Sequence, residues 1–134
     1  MRTQQYEKVR CDTNSLTINI DSPLEAFDLL SQVSPEDRSF INETALDKTN
    51  ILINKIYDVA TNNNFWWDKP FADVTENQEI VLEWWNQRKK ITIYVDKETI
   101  DFLKVWDTDM ENKMEDGFIN LADDLTDFWG WIHY

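Results

Sequence analysis

Two short runs in which every second residue is large and apolar constrain the fold more than any other feature of this sequence. The residues that share this spacing are Ile80, Leu82, Trp84, Ile91, Ile93 and Val95. A period of two is typical of strands, because successive side chains point to opposite faces. Residues 86–89 between the runs form a polar turn. The pattern therefore predicts an antiparallel hairpin that buries this row on one face.

A third strand follows a second polar turn at residues 96–98 and is predicted from Ile100 to Trp106. Its buried side chains are either Phe102 with Trp106 or Leu103 with Val105, and the sequence leaves both alternatives open. Together the strands predict a three-stranded antiparallel meander over about residues 79–106.

Helices are predicted on the N-terminal side of this meander. Ser22, Pro23 and Glu25 form a capping box with proline at the first helical position. Apolar residues then follow at helical spacing, namely Leu24, Phe27, Leu30 and Val33. A longer amphipathic helix is predicted over residues 45–60, and Thr61–Asn64 ends it. The helical part thus spans about residues 22–62, and an alternating run at residues 16–20 is either a strand or an extended lead-in.

The remaining segments complete an α+β fold in one domain, residues 1–134. Residues 65–78 are predicted to be a loop that aromatic side chains fix to the core, and residues 107–117 a polar connection. Asn120 is expected to cap a final helix over about residues 120–132, with Asp123 and Asp124 in its first turn. The apolar face of this helix should cover the sheet; it consists of Leu121, Leu125, Phe128, Trp129 and Ile132.

The net charge of −13 over 134 residues restricts the partners of the chain. Direct binding to a phosphate backbone needs clustered Lys and Arg, and anionic membranes need the same. The charge therefore disfavours nucleic acids and membranes as direct partners and favours a basic protein. The one basic cluster, Arg88-Lys89-Lys90 beside Trp84 and Trp85, is either a small platform for single-stranded nucleic acid or a charged hairpin tip; we favour the hairpin tip.

Cysteine, histidine and glycine are scarce in the chain. Cys11 is the only cysteine, His133 the only histidine, and Gly117 and Gly130 the only glycines. These counts exclude a catalytic triad, a Cys/His zinc site and a glycine-rich nucleotide loop, and His133 is expected to fray. We predict no catalytic residue, no metal site and no cofactor. A single cysteine, no secretory signal in residues 1–10 and no long apolar run favour the cytoplasm.

Asp107, Asp109 and Glu111 match the first ligand positions of a calcium loop, but Asn112 and Phe118 stand where that loop needs glycine and glutamate. An enzyme that uses carboxylates, either a metal-assisted nuclease or a glycosidase, stays an alternative in a chain this acidic.

The sharpest functional feature is the acidic segment 107–127, in which eight carboxylates and Lys113 give a net charge of −7 over 21 residues. These carboxylates are Asp107, Asp109, Glu111, Glu115, Asp116, Asp123, Asp124 and Asp127. They are either a solvated surface or a patch that holds a basic protein, with Trp85 or Trp106 as an apolar anchor. The patch would suit an antitoxin, an immunity protein or a phage-type inhibitor that covers the basic surface of a nucleic-acid enzyme. A structural subunit that self-associates through its tryptophans is a further alternative.

The strand Ile80-Val81-Leu82-Glu83-Trp84, followed by Ile91-Thr92-Ile93 and a late amphipathic helix, resembles a family of small uncharacterised bacterial proteins. In that family a strand of the form I-x-L-E-W precedes an alternating strand. The glycine-rich turns common in the family are absent here. The resemblance covers roughly the last third of the chain, implies a bacterial α+β protein with no assigned activity, and carries over no site residue.

Overall fold

A computed structural model of the chain describes residues 41–107 and 114–134. The strand predicted at residues 16–20 and the helix predicted after Ser22 lie outside the described residues. The described elements, in chain order, are α1 (Glu43–Asn63), β1 (Phe71–Val74), β2 (Ile80–Asn86), β3 (Lys89–Val95), β4 (Ile100–Trp106), β5 (Met114–Phe118) and α2 (Thr126–His133).

The five described strands form one antiparallel sheet in the order β1-β2-β3-β4-β5. The predicted α+β class is confirmed, and the three predicted strands are β2, β3 and β4. The prediction of only three strands was wrong, because each edge of the meander carries one more strand. Strand β1 lies in the predicted loop 65–78, and β5 lies in the predicted polar connection 107–117.

The row of apolar residues predicted to share one face does so. The register pairs Ile80 with Val95, Leu82 with Ile93 and Trp84 with Ile91, and all six side chains are buried. We call this side of the sheet the inner face, because buried residues of both helices pack against it.

Strand β4 resolves the alternative that the sequence left open. Phe102 pairs with Ile93, so Phe102 and Trp106 point to the inner face and Leu103 and Val105 point away from it. Lys104 lies between the two aromatic residues on the inner face, with 7% of its surface exposed. A lysine at this position obscures the apolar pattern of the strand, which explains why the sequence alone did not decide.

Helix α1 begins and ends close to the predicted boundaries. The Asn42 side chain caps it by accepting a hydrogen bond from the backbone N–H of Ala45 at 3.0 Å. Asn64 ends it in a left-handed conformation with a φ of 57°, as the asparagine run predicted. Its buried face contains Leu52, Ile53 and Ile56. Neither helix in the described ranges is long and apolar enough to cross a membrane.

Helix α2 is shorter than predicted, since it begins at Thr126 and not near Asn120. Asn120 instead forms a turn in which its side chain accepts the N–H of Ala122 at 2.9 Å. The Asp124 carboxylate accepts both the N–H and the hydroxyl of Thr126. Side-chain hydrogen bonds of Asn and Asp to nearby backbone favour turns over helix, so the residues before Thr126 do not join the helix.

Four tryptophans close the core between the helices and the sheet. The Trp129 ring lies 5.8 Å from Trp66, 6.0 Å from Trp67 and 5.1 Å from Trp84, measured between ring centroids. The indole N–H of Trp84 donates to the Asp68 carbonyl, and that of Trp129 donates to the Trp66 carbonyl. The segment between α1 and β1 is therefore fixed to the core by its aromatic residues, as predicted.

Candidate protein-binding face

The side of the sheet opposite the helices is the candidate functional surface, and we call it the open face. Strand alternation places on it Phe71, Asp73, Val81, Glu83, Trp85, Lys90, Thr92, Tyr94, Asp101, Leu103, Val105, Met114, Asp116 and Phe118. The aromatic contacts of α2 with the sheet all involve inner-face residues. Neither described helix covers the open face.

Large apolar side chains are exposed on the open face. Phe118 is 76% exposed, Phe71 65%, Trp85 51% and Met114 48%. These four are among the six large hydrophobic residues exposed in the described ranges; Ile51 and Tyr134 are the others. Phe71 and Phe118 lie on opposite edge strands of this face, and Thr92 and Val105 between them are buried. Exposed apolar residues that share one face are more typical of an interaction site than residues scattered over the whole surface.

The charges of the open face are mostly negative. Asp73, Glu83, Asp101 and Asp116 oppose Lys90 alone, which gives a net charge of −3. Lys90 is engaged within the face: its ammonium lies 3.6 Å from a Glu83 oxygen and 5.0 Å from the Trp85 ring centroid. The other Glu83 oxygen accepts the Trp85 indole N–H at 3.1 Å. The open face therefore presents exposed aromatic rings with carboxylates between them.

A cleft of about 340 Å³ lies on the open face over β3, β4 and β5. The side chains that line its open-face wall are those of Tyr94, Asp101, Leu103, Asp116 and Phe118. The Oδ1 atom of Asp101 exposes less than 1 Å² and has no hydrogen-bond partner within residues 41–107 and 114–134. A buried acceptor without a donor is uncommon and costs about 1–3 kcal/mol, so this oxygen atom is poorly solvated, while Asp101 as a whole is half-buried.

The acidic segment predicted as the binding patch divides between different parts of the described fold. Glu115 lies opposite Lys104 on the inner-face side of β5, whereas Asp116 points to the open face. Asp107 forms an ion pair with Arg88 at 3.0 Å. Three others lie away from the sheet: Asp123 and Asp124 in the turn before α2, and Asp127 in its first turn. Asp109 and Glu111 lie outside the described residues.

The two tryptophans predicted as anchors also separate. Trp85 is exposed on the open face, beside the carboxylate of Glu83. Trp106 points to the inner face and packs edge-on against Trp131 of α2, with ring centroids 5.7 Å apart. Asp116 and Trp85 are thus the predicted site residues that the sheet brings to one face.

The residues of the open face that the sequence did not single out are Asp73, Glu83, Asp101 and the two exposed phenylalanines, Phe71 and Phe118. All five lie on the strand positions that alternate with the buried row. Their common face follows from strand parity, but Phe71 and Phe118 belong to edge strands that were not predicted. Asp101 could have been assigned to this face from the sequence only if the parity of β4 had been known, and the register of β4 with β3 shows that parity.

The basic cluster at the β2–β3 turn is bonded within the fold. Arg88 pairs with Asp107, and Lys90 pairs with Glu83. The ammonium of Lys89 donates to the Trp131 carbonyl at 2.6 Å and lies 5.1 Å from the Trp131 ring centroid. A cleft of about 360 Å³ beside this turn is lined by Arg88, Lys89 and His133 among others. Because these cations already have partners, the cluster resembles a stabilised hairpin tip.

His133 is not frayed, which corrects the sequence prediction. Its Nδ1 atom accepts a hydrogen bond from the backbone N–H of Trp66 at 2.8 Å. Its ring also packs against Phe65, with centroids 5.0 Å apart. Tertiary contacts therefore hold the histidine in place at the end of α2.

The pKa of Lys104 is below its ordinary value, mainly because the side chain is buried. The nearby carboxylate of Glu115 raises this pKa, and the nearby ammonium of Lys89 lowers it further. The ammonium lies 4.7 Å from the Phe128 ring centroid and 5.2 Å from that of Trp131.

Within residues 41–107 and 114–134, no three His, Cys, Asp or Glu side chains are placed to hold a metal ion together. Comparison with protein-family models, with curated proteins and with solved structures finds no match for this chain.

Proposed function

We propose that this protein is a non-catalytic binding protein that covers a basic surface of a protein partner with its open face. The observation that carries the proposal is the presence of exposed Phe71, Trp85 and Phe118 on a face whose described charged residues are four carboxylates and one lysine. That lysine, Lys90, is paired with Glu83. Exposed aromatic residues supply contact area at the centre of protein interfaces, and charges of one sign select partners of the other.

The charge of the whole chain supports the same kind of partner. A net charge of −13 attracts basic proteins over the range of the screened field, about 8–10 Å at physiological salt. Occlusion of a basic surface would block access of nucleic acid to an enzyme that uses it. An antitoxin, an immunity protein or a phage-type inhibitor of a nucleic-acid enzyme would act in this way.

The test uses the full chain as bait in its own host, followed by measurement with the purified partner. Wild type is compared with W85S and F118S, which remove apolar anchors from the open face. The matched control is I51S, which removes an exposed apolar side chain from α1. Purified partner and chain are then titrated by calorimetry at low and high salt, and the nucleic-acid-processing activity of the partner is assayed with and without the chain.

The proposal expects a basic partner whose affinity falls at least about tenfold in W85S or F118S, stays unchanged in I51S, and weakens with salt. Inhibition of the partner should weaken in the same variants. Equal loss in I51S, or affinity that ignores ionic strength, would overturn it. Light scattering of the wild type alone provides a further check. If the wild type is a dimer and W85S and F118S are monomers, the open face binds a second copy of the chain and not a different protein.

A further inference from the structure

We propose that the cleft on the open face binds the guanidinium group of an arginine side chain from the protein partner. The inference rests on the proposed function, and it names the residue that the partner must present. In the cleft, two carboxylates of the open face lie beside the exposed ring of Phe118.

The sheet register determines how the cleft is built. Tyr94, Asp101 and Phe118 lie side by side on three neighbouring strands, because Tyr94 pairs with Asp101 and Asp101 pairs with Phe118. Leu103 pairs with Asp116 in the adjacent open-face row. Directly paired Cβ atoms lie about 5 Å apart and diagonal pairs about 7–8 Å. Two carboxylates thus lie close enough to share one cation, with aromatic rings on both sides of Asp101.

The state of the Asp101 carboxylate favours a cationic ligand. One of its oxygens is closed to water and has no hydrogen-bond partner among the described residues. A carboxylate that is incompletely solvated gains more from an adjacent cation than a hydrated one does, because less water has to be displaced and the local dielectric constant is lower. Among the described residues that line the cleft, none is a Lys or Arg that could supply this charge from within the sheet.

Arginine fits the cleft better than lysine for two reasons. Its planar guanidinium can donate to two acceptors in one plane, as Asp101 and Asp116 would offer from neighbouring rows. The same group stacks on aromatic faces, and it is more weakly hydrated than an ammonium, so burial beside Phe118 costs less. Phe118 is 76% exposed, which leaves its ring available for such stacking.

The inference is tested on the full chain without the partner, by NMR titration of isotopically labelled protein. The probes are N-acetyl-arginine amide, N-acetyl-lysine amide and N-acetyl-citrulline amide, which keeps the shape of arginine and lacks its charge. The expected result is saturable shifts at Asp101, Asp116 and Phe118 with the arginine probe. The citrulline probe should bind at least about tenfold more weakly than the arginine probe, since a charge-assisted hydrogen bond is lost.

Three variants localise the effect. D101N keeps the size of the side chain and removes its charge, and F118A removes the exposed ring; each should weaken the arginine probe severalfold. The control is D123N, a carboxylate of the turn before α2 outside the cleft, which should leave binding unchanged. Equal binding of arginine and citrulline probes, or an equal loss in D123N, overturns the inference.

The outcome separates this inference from the proposed function. If D101N leaves the affinity of the arginine probe unchanged while W85S still weakens binding of the partner, the open face is the interface and the arginine pocket is wrong. If D101N weakens binding of both the arginine probe and the partner while W85S leaves the partner's affinity unchanged, the pocket stands and the role of Trp85 in the proposed interface fails. If lysine binds as tightly as arginine, the assignment to guanidinium is overturned.

Discussion

The imidazole Nδ1 of His133 accepts the backbone N–H of Trp66 at 2.8 Å and so joins α2 to the segment between α1 and β1. The bond connects residues that are distant in sequence, next to the tryptophan cluster that closes the core. Nothing in the local sequence around His133 indicates this contact, because its partner is a backbone group.

We expect H133F to lower the free energy of unfolding by about 1–3 kcal/mol, because the ring contact with Phe65 persists while the part-buried N–H of Trp66 loses its acceptor. Urea denaturation followed by tryptophan fluorescence measures the change. Y134F serves as the control, since Tyr134 is exposed. Unfolding of H133F and wild type at the same urea concentration would show that the bond contributes nothing.

A second expectation concerns Gly117, whose added Cβ would lie 2.9 Å from the Phe102 ring. That ring cannot shift freely, because it packs edge-on against Phe128 at 5.1 Å between centroids. G117A should therefore destabilise the protein by about 1 kcal/mol, the overpacking cost less the gain from a stiffer unfolded chain. The double variant with F102L should recover part of this loss. Additive effects of the two substitutions would refute the steric explanation.

The same glycine illustrates how far the sequence predicts the sheet. Strands β2 and β3 were predictable because one face is buried and their apolar residues alternate without interruption. Strand β5, Met114-Glu-Asp-Gly-Phe118, has no such pattern. It pairs with β4 because the edge of β4 offers backbone donors and acceptors, and Gly117 leaves room for Phe102 beneath it. Backbone pairing of this kind leaves little trace in the side-chain pattern.

The candidate site was predictable only in part for a related reason. The sequence identified Trp85 and Asp116, but it grouped carboxylates by their proximity along the chain. Strand alternation separates neighbours such as Glu115 and Asp116, and register brings Asp101 beside Phe118 from another strand. The acidic excess could be read from the composition. Which carboxylates share a face depends on strand pairing, and that pairing involves β5, a strand that was not predicted.

Asp96 in the β3–β4 turn should contribute to stability at neutral pH. Its Oδ1 accepts the N–H of Thr99 at 2.6 Å and that of Glu98 at 2.7 Å, and these backbone hydrogen bonds lower its pKa. A lowered carboxyl pKa gives stability that is present above the ordinary pKa and is lost as pH falls through the folded value. D96N should unfold about 0.5 kcal/mol more easily at pH 7, a modest effect because the turn is exposed to solvent.

The pH dependence of D96N distinguishes charge from shape. Denaturation curves of D96N and wild type should converge as pH falls through the folded pKa of Asp96, because the wild-type carboxyl is then neutral as well. E98Q is the control, since it removes a nearby charge from the same turn. A stability difference that persists unchanged into acid would assign the effect to geometry and not to the carboxylate charge.

Lys104 is expected to behave in the opposite sense at alkaline pH. Burial lowers its pKa, so the folded protein releases this proton before the unfolded chain does. The free energy of unfolding of the wild type therefore increases as pH rises from the folded pKa to the ordinary value.

K104M keeps the volume between Phe102 and Phe128 and removes the titrating group. The free energy of unfolding of K104M relative to wild type should therefore decline as pH rises from the folded pKa of Lys104 towards about pH 10.4, the ordinary pKa of lysine. Other titrating groups cancel in this difference, and K97M provides the matched control because Lys97 is exposed. A difference that stays flat across this range for K104M would mean that the rings of Phe128 and Trp131 stabilise the ammonium enough to offset its burial.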